Sequence, residues 1–218
     1  MTRLFASILL LASLVTVTGQ GKTKFSIHVD PQFAWFSSDE NHIQNEGSIL
    51  RLQYGLQMDR FFEENYAFTL GFGVSKLGGN LYYSDSTSFI SKEDSLFFTP
   101  GQTVRHTIQY LDFPLGLKLK TEELGYATFF LQIGFNPMIN ISALATSKDE
   151  VYDKESIRES IHIFNLGYHA GIGVEYRLGG STALIGGIRW TSGLTDISSQ
   201  DDSNITTKSI SIHLGILF

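Results

Sequence analysis

The chain has 218 residues, a net charge of −6 and no cysteine. That length allows one domain. The negative charge, with no basic patch interleaved with aromatics, excludes nucleic acid as a partner. The missing cysteines exclude a disulfide scaffold and a lipid-modified N-terminal cysteine.

At the start, Arg3 supplies a positive n-region, Leu4 to Val17 form an apolar run, and small residues Thr18 and Gly19 precede Gln20. Residues 1–19 therefore read as a cleavable secretory signal, too short and too closely followed by polar sequence for a membrane anchor. Residues 20–218 would then form a single mature domain. No later stretch approaches the roughly 18 apolar residues a membrane helix needs. Mean hydropathy is near neutral. A membrane barrel hides its apolar surface from that average, because every second residue faces away from lipid.

Alternation at period two recurs along the chain. In the first strand Phe25, Ile27, Val29, Pro31, Phe33 and Trp35 oppose Ser26, His28, Asp30 and Gln32. In the second, Leu50, Leu52, Tyr54, Leu56 and Met58 oppose Arg51, Gln53, Gly55 and Gln57. The third sets Tyr66, Phe68, Leu70, Phe72 and Val74 against Ala67, Thr69, Gly71, Gly73 and Ser75. The fourth sets Leu111, Phe113, Leu115, Leu117 and Leu119 against Asp112, Pro114, Gly116, Lys118 and Lys120. Its upstream half, with Val104, Ile108 and Tyr110, has the opposite parity, which suggests a β-bulge near Tyr110.

The fifth strand pairs Phe129, Leu131, Ile133, Phe135 and Ile139 with Thr128, Gln132, Gly134 and Asn136. The sixth alternates most regularly, from Phe164 to Arg177, and puts Gly167, His169, Gly171, Gly173 and Glu175 on its polar face. The seventh is glycine-broken: Leu184, Ile188 and Trp190 oppose Gly187, Arg189 and Thr191. The eighth places Ile210, Ile212, Leu214, Ile216 and Phe218 on one face and Ser209, Ser211, His213 and Gly215 on the other; only Leu217 breaks the pattern.

Connections after strands two, four and six are short (residues 59–65, 121–125 and 178–181), and the others are long and polar. Short turns at one end and long loops at the other fit an all-β fold: an eight-stranded antiparallel transmembrane β-barrel with short periplasmic turns and long extracellular loops. A soluble lipocalin-like binding barrel gives the same alternation with its apolar face inside. Three features favour the membrane barrel. Glycines crowd the polar face of strand six, that face is sparing in charge, and aromatics recur near strand ends on the apolar face (Trp35, Tyr66, Tyr176, Trp190, Phe218).

The segment Tyr110-Leu111-Asp112-Phe113-Pro114-Leu115-Gly116-Leu117-Lys118 resembles the "YLEIPLxLK" strand of the PorT-like small outer-membrane β-barrel proteins of Gram-negative bacteria. The signal segment, strand spacing and C-terminal aromatic match the same family. Asp112 and Phe113 stand where the family often has Glu and an aliphatic residue. The resemblance implies an outer-membrane location, handling by the barrel assembly machinery with Phe218 as its terminal signal, and one candidate role: an accessory barrel of a type IX secretion pathway.

The expected lumen carries His28, Asp30, Arg51, Asp112, Lys118, His169, Glu175, Arg177, Arg189 and His213. An eight-stranded barrel is just wide enough for its own side chains, so these read as a structural network of paired charges rather than a pore. Ser211 with His213, and Ser160 with His162, lack an orienting acid at readable spacing, so no catalytic residue is assigned. The histidines look scattered, and no metal or cofactor site is assigned. Asp39, Glu40 and Glu46 in the first long loop, and Asp196, Asp201 and Asp202 in the fourth, make an acidic surface without local counter-cations. The third long loop balances Asp149, Glu150, Asp153, Glu155 and Glu159 against Lys148, Lys154 and Arg158. Oxygen-ligand loops of this kind can take divalent cations transiently, but a solvated acidic surface is the plainer reading. The expected partners are outer-membrane lipid and lipopolysaccharide, the assembly machinery, and a protein at the long loops; the barrel is expected to be a monomer.

Overall fold

The computed structural model describes residues 22–40, 42–85, 87–90, 95–147, 153–199 and 204–218. The expected signal segment, residues 1–19, lies outside them, as do Lys148, Asp149, Glu150, Asp201 and Asp202 of the acidic loops. Among the described residues the strands are β1 (Thr23–Ser38), β2 (Ile43–Asn45), β3 (Ile49–Glu63), β4 (Tyr66–Tyr83), β5 (Thr87–Ile90), β6 (Ser95–Phe98), β7 (Gln102–Asp112), β8 (Leu115–Lys120), β9 (Ala127–Ser147), β10 (Glu155–Ser156), β11 (Phe164–Gly179), β12 (Thr182–Gly193) and β13 (Ile205–Leu217). No helix among them is long and apolar enough to cross a membrane.

The strand ladder closes on itself. β1 pairs with β3, β3 with β4, and β4 with β7 and then β8. Both β7 and β8 pair with β9, which pairs with β11; β12 and β13 follow, and β13 returns to β1. Every pairing is antiparallel. β7 and β8 form one stave interrupted at Phe113–Pro114, where proline has no N–H for the ladder. The ring therefore has eight staves, as the alternation implied. The remaining elements decorate it: β2 extends β4, β10 extends β9, and β5 pairs with β6 as a separate hairpin.

Burial separates the two faces of each stave. Along β1, Phe25, Ile27, Val29 and Phe33 are exposed, while Ser26, His28, Asp30, Gln32, Ala34 and Phe36 are buried. Across the other staves, Leu56, Phe68, Leu70, Phe72, Leu131, Phe135, Ile172, Ile188, Ile212 and Leu214 continue the exposed apolar belt. From Phe25 to Trp35 the belt covers ten residue steps. That is ~33 Å along the strand, or roughly 25 Å of depth at a tilt near 40°, the height of a barrel's lipid-facing band.

The staves continue past this belt, and their polarity inverts. β4 has 18 residues and β9 has 21, against about 9–11 for a tilted membrane crossing. Beyond the belt the outward positions become Lys76, Asn80, Thr103, Arg105 and Lys208, while the inward ones become Ala34, Phe36, Leu77, Leu81, Tyr83, Val104, Ile108 and Tyr110, all buried. Three loop residues, Ile157, Ile161 and Ile197, join this cluster from above. The barrel is thus inside-out at membrane depth and packed like a soluble protein above it.

This inversion corrects the expected parity slip in the fourth stave. Val104, His106, Ile108, Tyr110, Asp112, Pro114 and Lys118 are all buried, so one parity runs through unbroken. Apolar Val104, Ile108 and Tyr110 sit inside because they lie above the belt. The irregularity near Tyr110 exists, but its extra residue is on the partner: Gln109 pairs with Ser142 and Tyr110 with Asn140, leaving Ile141 unpaired on β9. Leu217 has a similar explanation. It is 1 % exposed and packs with Phe130, Ala183 and Ile185 as a small apolar plug at the short-turn end.

Glycine lets the staves approach one another where large groups point inward. A Cβ on Gly134 would stand 2.8 Å from His169 Cε1, and one on Gly173 would stand 2.5 Å from Phe130 Cζ. Both positions admit only hydrogen beside these rings.

The belt assignment makes two expectations. Leu131→Arg, in the middle of the exposed face of β9, should destabilise the protein folded in lipid vesicles by roughly 2–4 kcal/mol; unchanged unfolding would place Leu131 away from lipid. Unboiled protein should also migrate differently from boiled protein on a denaturing gel, because a closed ladder leaves no edge for detergent to attack; equal mobility would argue for an open sheet.

Candidate functional site

Two ionic layers fill the lumen within the belt. The lower one is built on Lys118, whose side chain projects inward from β8 and is 1 % exposed. Its ammonium lies 2.8 Å from Asp59 Oδ2 and 2.6 Å from Glu175 Oε1, and 4.6 Å above the Phe130 ring. Lys120, one inward step further along β8, donates to the other oxygen of Glu175. Two cations thus face two carboxylates, and the layer is formally neutral, which is what makes burial of four charges tolerable.

The upper layer is organised around Asp30, which is fully buried on β1. His213 on β13 lies 2.9 Å from both its oxygens, His28 lies 3.2 Å from Oδ2, and Arg189 on β12 contributes a guanidinium 3.6 Å away. Beside it Asp112 accepts from Gln53 at 2.8 Å and from Asn136 at 3.0 Å. Asp112 takes amides rather than a cation as its near partners.

Amide side chains join the two layers. Asn136 Nδ2 donates to Asp112, while its Oδ1 lies 2.5 Å from His169 Nδ1. Gln132 Nε2 lies 3.5 Å from His169 Nε2 and 3.2 Å from Gln57 Oε1, and Gln57 Nε2 donates to Asp59 at 2.7 Å. The directions agree in one neutral tautomer of His169: Nε2 accepts from Gln132, and Nδ1–H donates to Asn136. A continuous chain of partners runs from Asp112 to Lys120. Above it lies the apolar cluster of the extended staves, and below it the Leu217 plug.

Of the ten residues expected to line the lumen, eight are buried there: His28, Asp30, Asp112, Lys118, His169, Glu175, Arg189 and His213. The other two are corrections. Arg51 is half-buried and donates to Thr107, whose position on β7 alternates with inward-facing His106 and Ile108. It is drawn outward because β3 stops pairing with β4 above Gln53–Ser75, so the upper end of β3 lies over the outside of the sheet. Arg177 is exposed beside the short turn, 2.7 Å from Glu123, because β11 has left the membrane depth by that point.

Asp59, Gln53, Gln57, Gln132, Asn136 and Lys120 are network members the expected list lacked. Asp59 falls within the expected short connection 59–65 but lies on β3, where its parity with Gln53 and Gln57 makes it inward. The histidines are also less scattered than they look in sequence: ligand atoms of His28, Asp30 and His213 lie within 4.8 Å of one another. Arg189 already provides that carboxylate's counter-cation. With that cation in place and both imidazoles already hydrogen-bonded to Asp30, the cluster reads as a hydrogen-bonded clamp. Of the acidic loop residues, Asp39, Glu40, Glu46, Asp153, Glu155, Glu159 and Asp196 are described; Asp196 Oδ1 accepts from the backbone N–H groups of Ser198 and Ile205, holding the last long loop.

A closed eight-stave ring with an apolar belt outside and a neutralised polar filling inside defines a transmembrane β-barrel of the outer-membrane type. The chain belongs to the outer membrane protein beta-barrel domain family, which matches residues 19–199. It is an integral protein of the outer membrane. A comparison with curated proteins finds no match. Among solved structures the chain is similar to Neisserial surface protein A, at 12% identity with a TM-score of 0.49, covering 88% of this chain and 95% of that one. It is similar to OprG from Pseudomonas aeruginosa at 12% identity and a TM-score of 0.47, covering 92% and 98%. Ail, the attachment invasion locus protein of Yersinia pestis, is likewise 12% identical, with a TM-score of 0.45 and coverage of 92% and 100%.

The lower layer yields a direct expectation. Lys118→Met leaves Asp59 and Glu175 buried with one fewer cation and should cost about 3–5 kcal/mol. Adding Asp59→Asn should recover a substantial part of that loss, because the surviving charges balance again. Urea unfolding in vesicles measures both, and a silent single variant would mean that the layer is not electrostatically coupled.

Proposed function

We propose that the protein is a non-conducting, non-enzymatic barrel that presents a rigid platform of acidic loops for contact at the cell surface. One observation carries this reading: the lumen is occupied by side chains through the whole membrane depth and is capped by apolar clusters at both ends. Both serine–histidine pairs considered from the sequence have other engagements. Ser211 Oγ donates to the Arg189 carbonyl rather than to His213, and His213 is committed to Asp30 deep in the lumen. On the third long loop Ser160 is buried while His162 is exposed. The platform itself is stiff, since the loops rest on a packed apolar core rather than on water.

Planar-bilayer recording tests the first half of this reading. No steady open channel is expected from the purified barrel, and a persistent conductance would overturn it. The second half predicts that neutralising Asp39, Glu40, Glu46 and Asp196 to their amides weakens adhesion of cells to a surface partner without lowering the amount of folded barrel.

A second reading, an accessory barrel of a secretion pathway, rests on the resemblance of residues 110–118. That segment forms the β7–β8 junction, where buried Pro114 packs against Gly71 at the break in the stave. A deletion strain that loses surface cargo while retaining other outer-membrane proteins would favour this role.

Export by a cleavable leader, residues 1–19, completes the proposal, with Phe218 as an assembly signal. Phe218 also closes the ring, its N–H donating to the Phe25 carbonyl at 2.8 Å, while its ring is half-exposed in the belt. Deleting Phe218 should lower the amount assembled in cells more than the stability of barrel already folded in detergent. Normal abundance of the truncated protein would leave Phe218 as one more lipid-facing aromatic.

A further inference from the structure

At the short-turn end, on the opposite side of the membrane from the acidic loops, the barrel mouth forms a cup of about 140 Å³. Its lining includes Ala183 of the Leu217 plug together with Lys120 and Glu175 of the lower ionic layer. Four cations line it, Lys22, Lys24, Lys120 and Arg177, against two carboxylates, Glu123 and Glu175. Both carboxylates are committed. Glu175 holds Lys118 and Lys120, and Glu123 holds Arg177.

Lys22 and Lys24 are left without a carboxylate partner among the described residues. Lys24 is also held where it meets other positive charge: its ammonium lies 5.9 Å from the centre of the Phe61 ring, and that of Lys120 lies 5.5 Å from the same ring. Like charges converging in a partly enclosed cup raise its affinity for anions. Hydroxyl groups of Thr128 and Ser181 also line the cup and add neutral hydrogen-bond donors. Its volume is well under the roughly 300–1,000 Å³ of a site for a drug-sized ligand. A small oxyanion fits a cup of this size.

We propose that this periplasmic mouth binds a phosphate group, with Lys22 and Lys24 supplying the charge and Thr128 and Ser181 the neutral donors. Two free ammonium groups match a doubly charged tetrahedral oxyanion better than a single carboxylate. The phosphate can belong to a free anion entering along the barrel axis or to a phospholipid headgroup of the inner leaflet. Because packed side chains fill the lumen beyond the cup, the group is held at the mouth and does not pass through the barrel. The site is independent of the loop platform at the other end.

The test is titration of inorganic phosphate into the folded full-length barrel in maltoside detergent, which carries no phosphate. Saturable one-to-one binding is expected. It should weaken at least tenfold in Lys22→Gln/Lys24→Gln and persist in Lys76→Gln/Arg105→Gln, whose charges lie on the outer wall above the belt. Heat-modifiable migration of each variant verifies that it is folded. Repeating the titration in phosphatidylglycerol vesicles separates the two sources: undiminished binding identifies the free anion as occupant, and suppressed binding identifies the headgroup. Absence of saturable binding, or equal weakening in both pairs of variants, would overturn the proposal.

Discussion

The backbone of this protein crosses a medium that offers it no hydrogen bonds, and the architecture follows from that constraint. Every N–H and C=O at membrane depth must find a partner within the protein, which strands can achieve only by closing into a ring. The β1–β13 seam supplies the closure through a ladder from Ser26–Leu217 to Ser38–Ile205. Where the ladder fails, side chains substitute for it. Just beyond the belt, above Gln53–Ser75, strand β3 no longer pairs with β4, and there Gln32 Nε2 on β1 donates 2.8 Å to the Lys76 carbonyl on β4. Gln32 is almost fully buried, and its amide stands in for a ladder partner where the two strands separate.

Closure with eight staves fixes what the interior can contain. The lumen is too narrow for an aqueous channel, and the outward positions are occupied by apolar groups, so polar side chains are confined inside. Their charges must then be neutralised in place. The lower layer does so with two lysines and two acids; the upper layer uses one arginine, two histidines and several amides. The amides have the larger part in continuity. Asn136 and Gln57 each use a donor and an acceptor, and the Gln132 NH2 group serves both Gln57 and His169, so together they join an aspartate at one level to an aspartate at another, which no run of charged groups could do without repulsion.

Much of this was legible from period two alone. Side chains alternate faces along a strand regardless of surroundings, so β1, β9, β11 and β13 could be assigned inward and outward from their residues. What alternation does not carry is the identity of the medium on each side. Val104, Ile108 and Tyr110 looked like a slip in register because apolar was equated with lipid-facing. Their parity is that of Lys118, and the surrounding medium is what changes, since the stave has left the bilayer. Leu217 misled for the same reason at the opposite end. Arg51 and Arg177 failed differently: both have inward parity, but Arg51 lies where β3 has separated from β4, and Arg177, still paired with Ala183, lies past the belt beside the short turn. Long-range partners such as Asp59 with Lys118 were not legible at all, because residues 59 apart in sequence meet only once the ring is closed.

The length of the staves bears on where function resides. A barrel that served only as an anchor could end at the membrane surface, yet β4 and β9 run to nearly twice the span a crossing requires. The excess builds a second core of ordinary aqueous character, with Phe36 and Tyr83 packed against His106, and three residues of the last two long loops are fastened to it. Loops mounted on such a core lose less freedom when they engage a partner than loops tethered to a membrane rim, because part of the ordering cost is already met by folding. The opposite end has no such extension, and its turns are short. What it has instead is a small cup with an excess of positive charge. With packed side chains filling the lumen between them, a change at one end has no solvent path by which to reach the other.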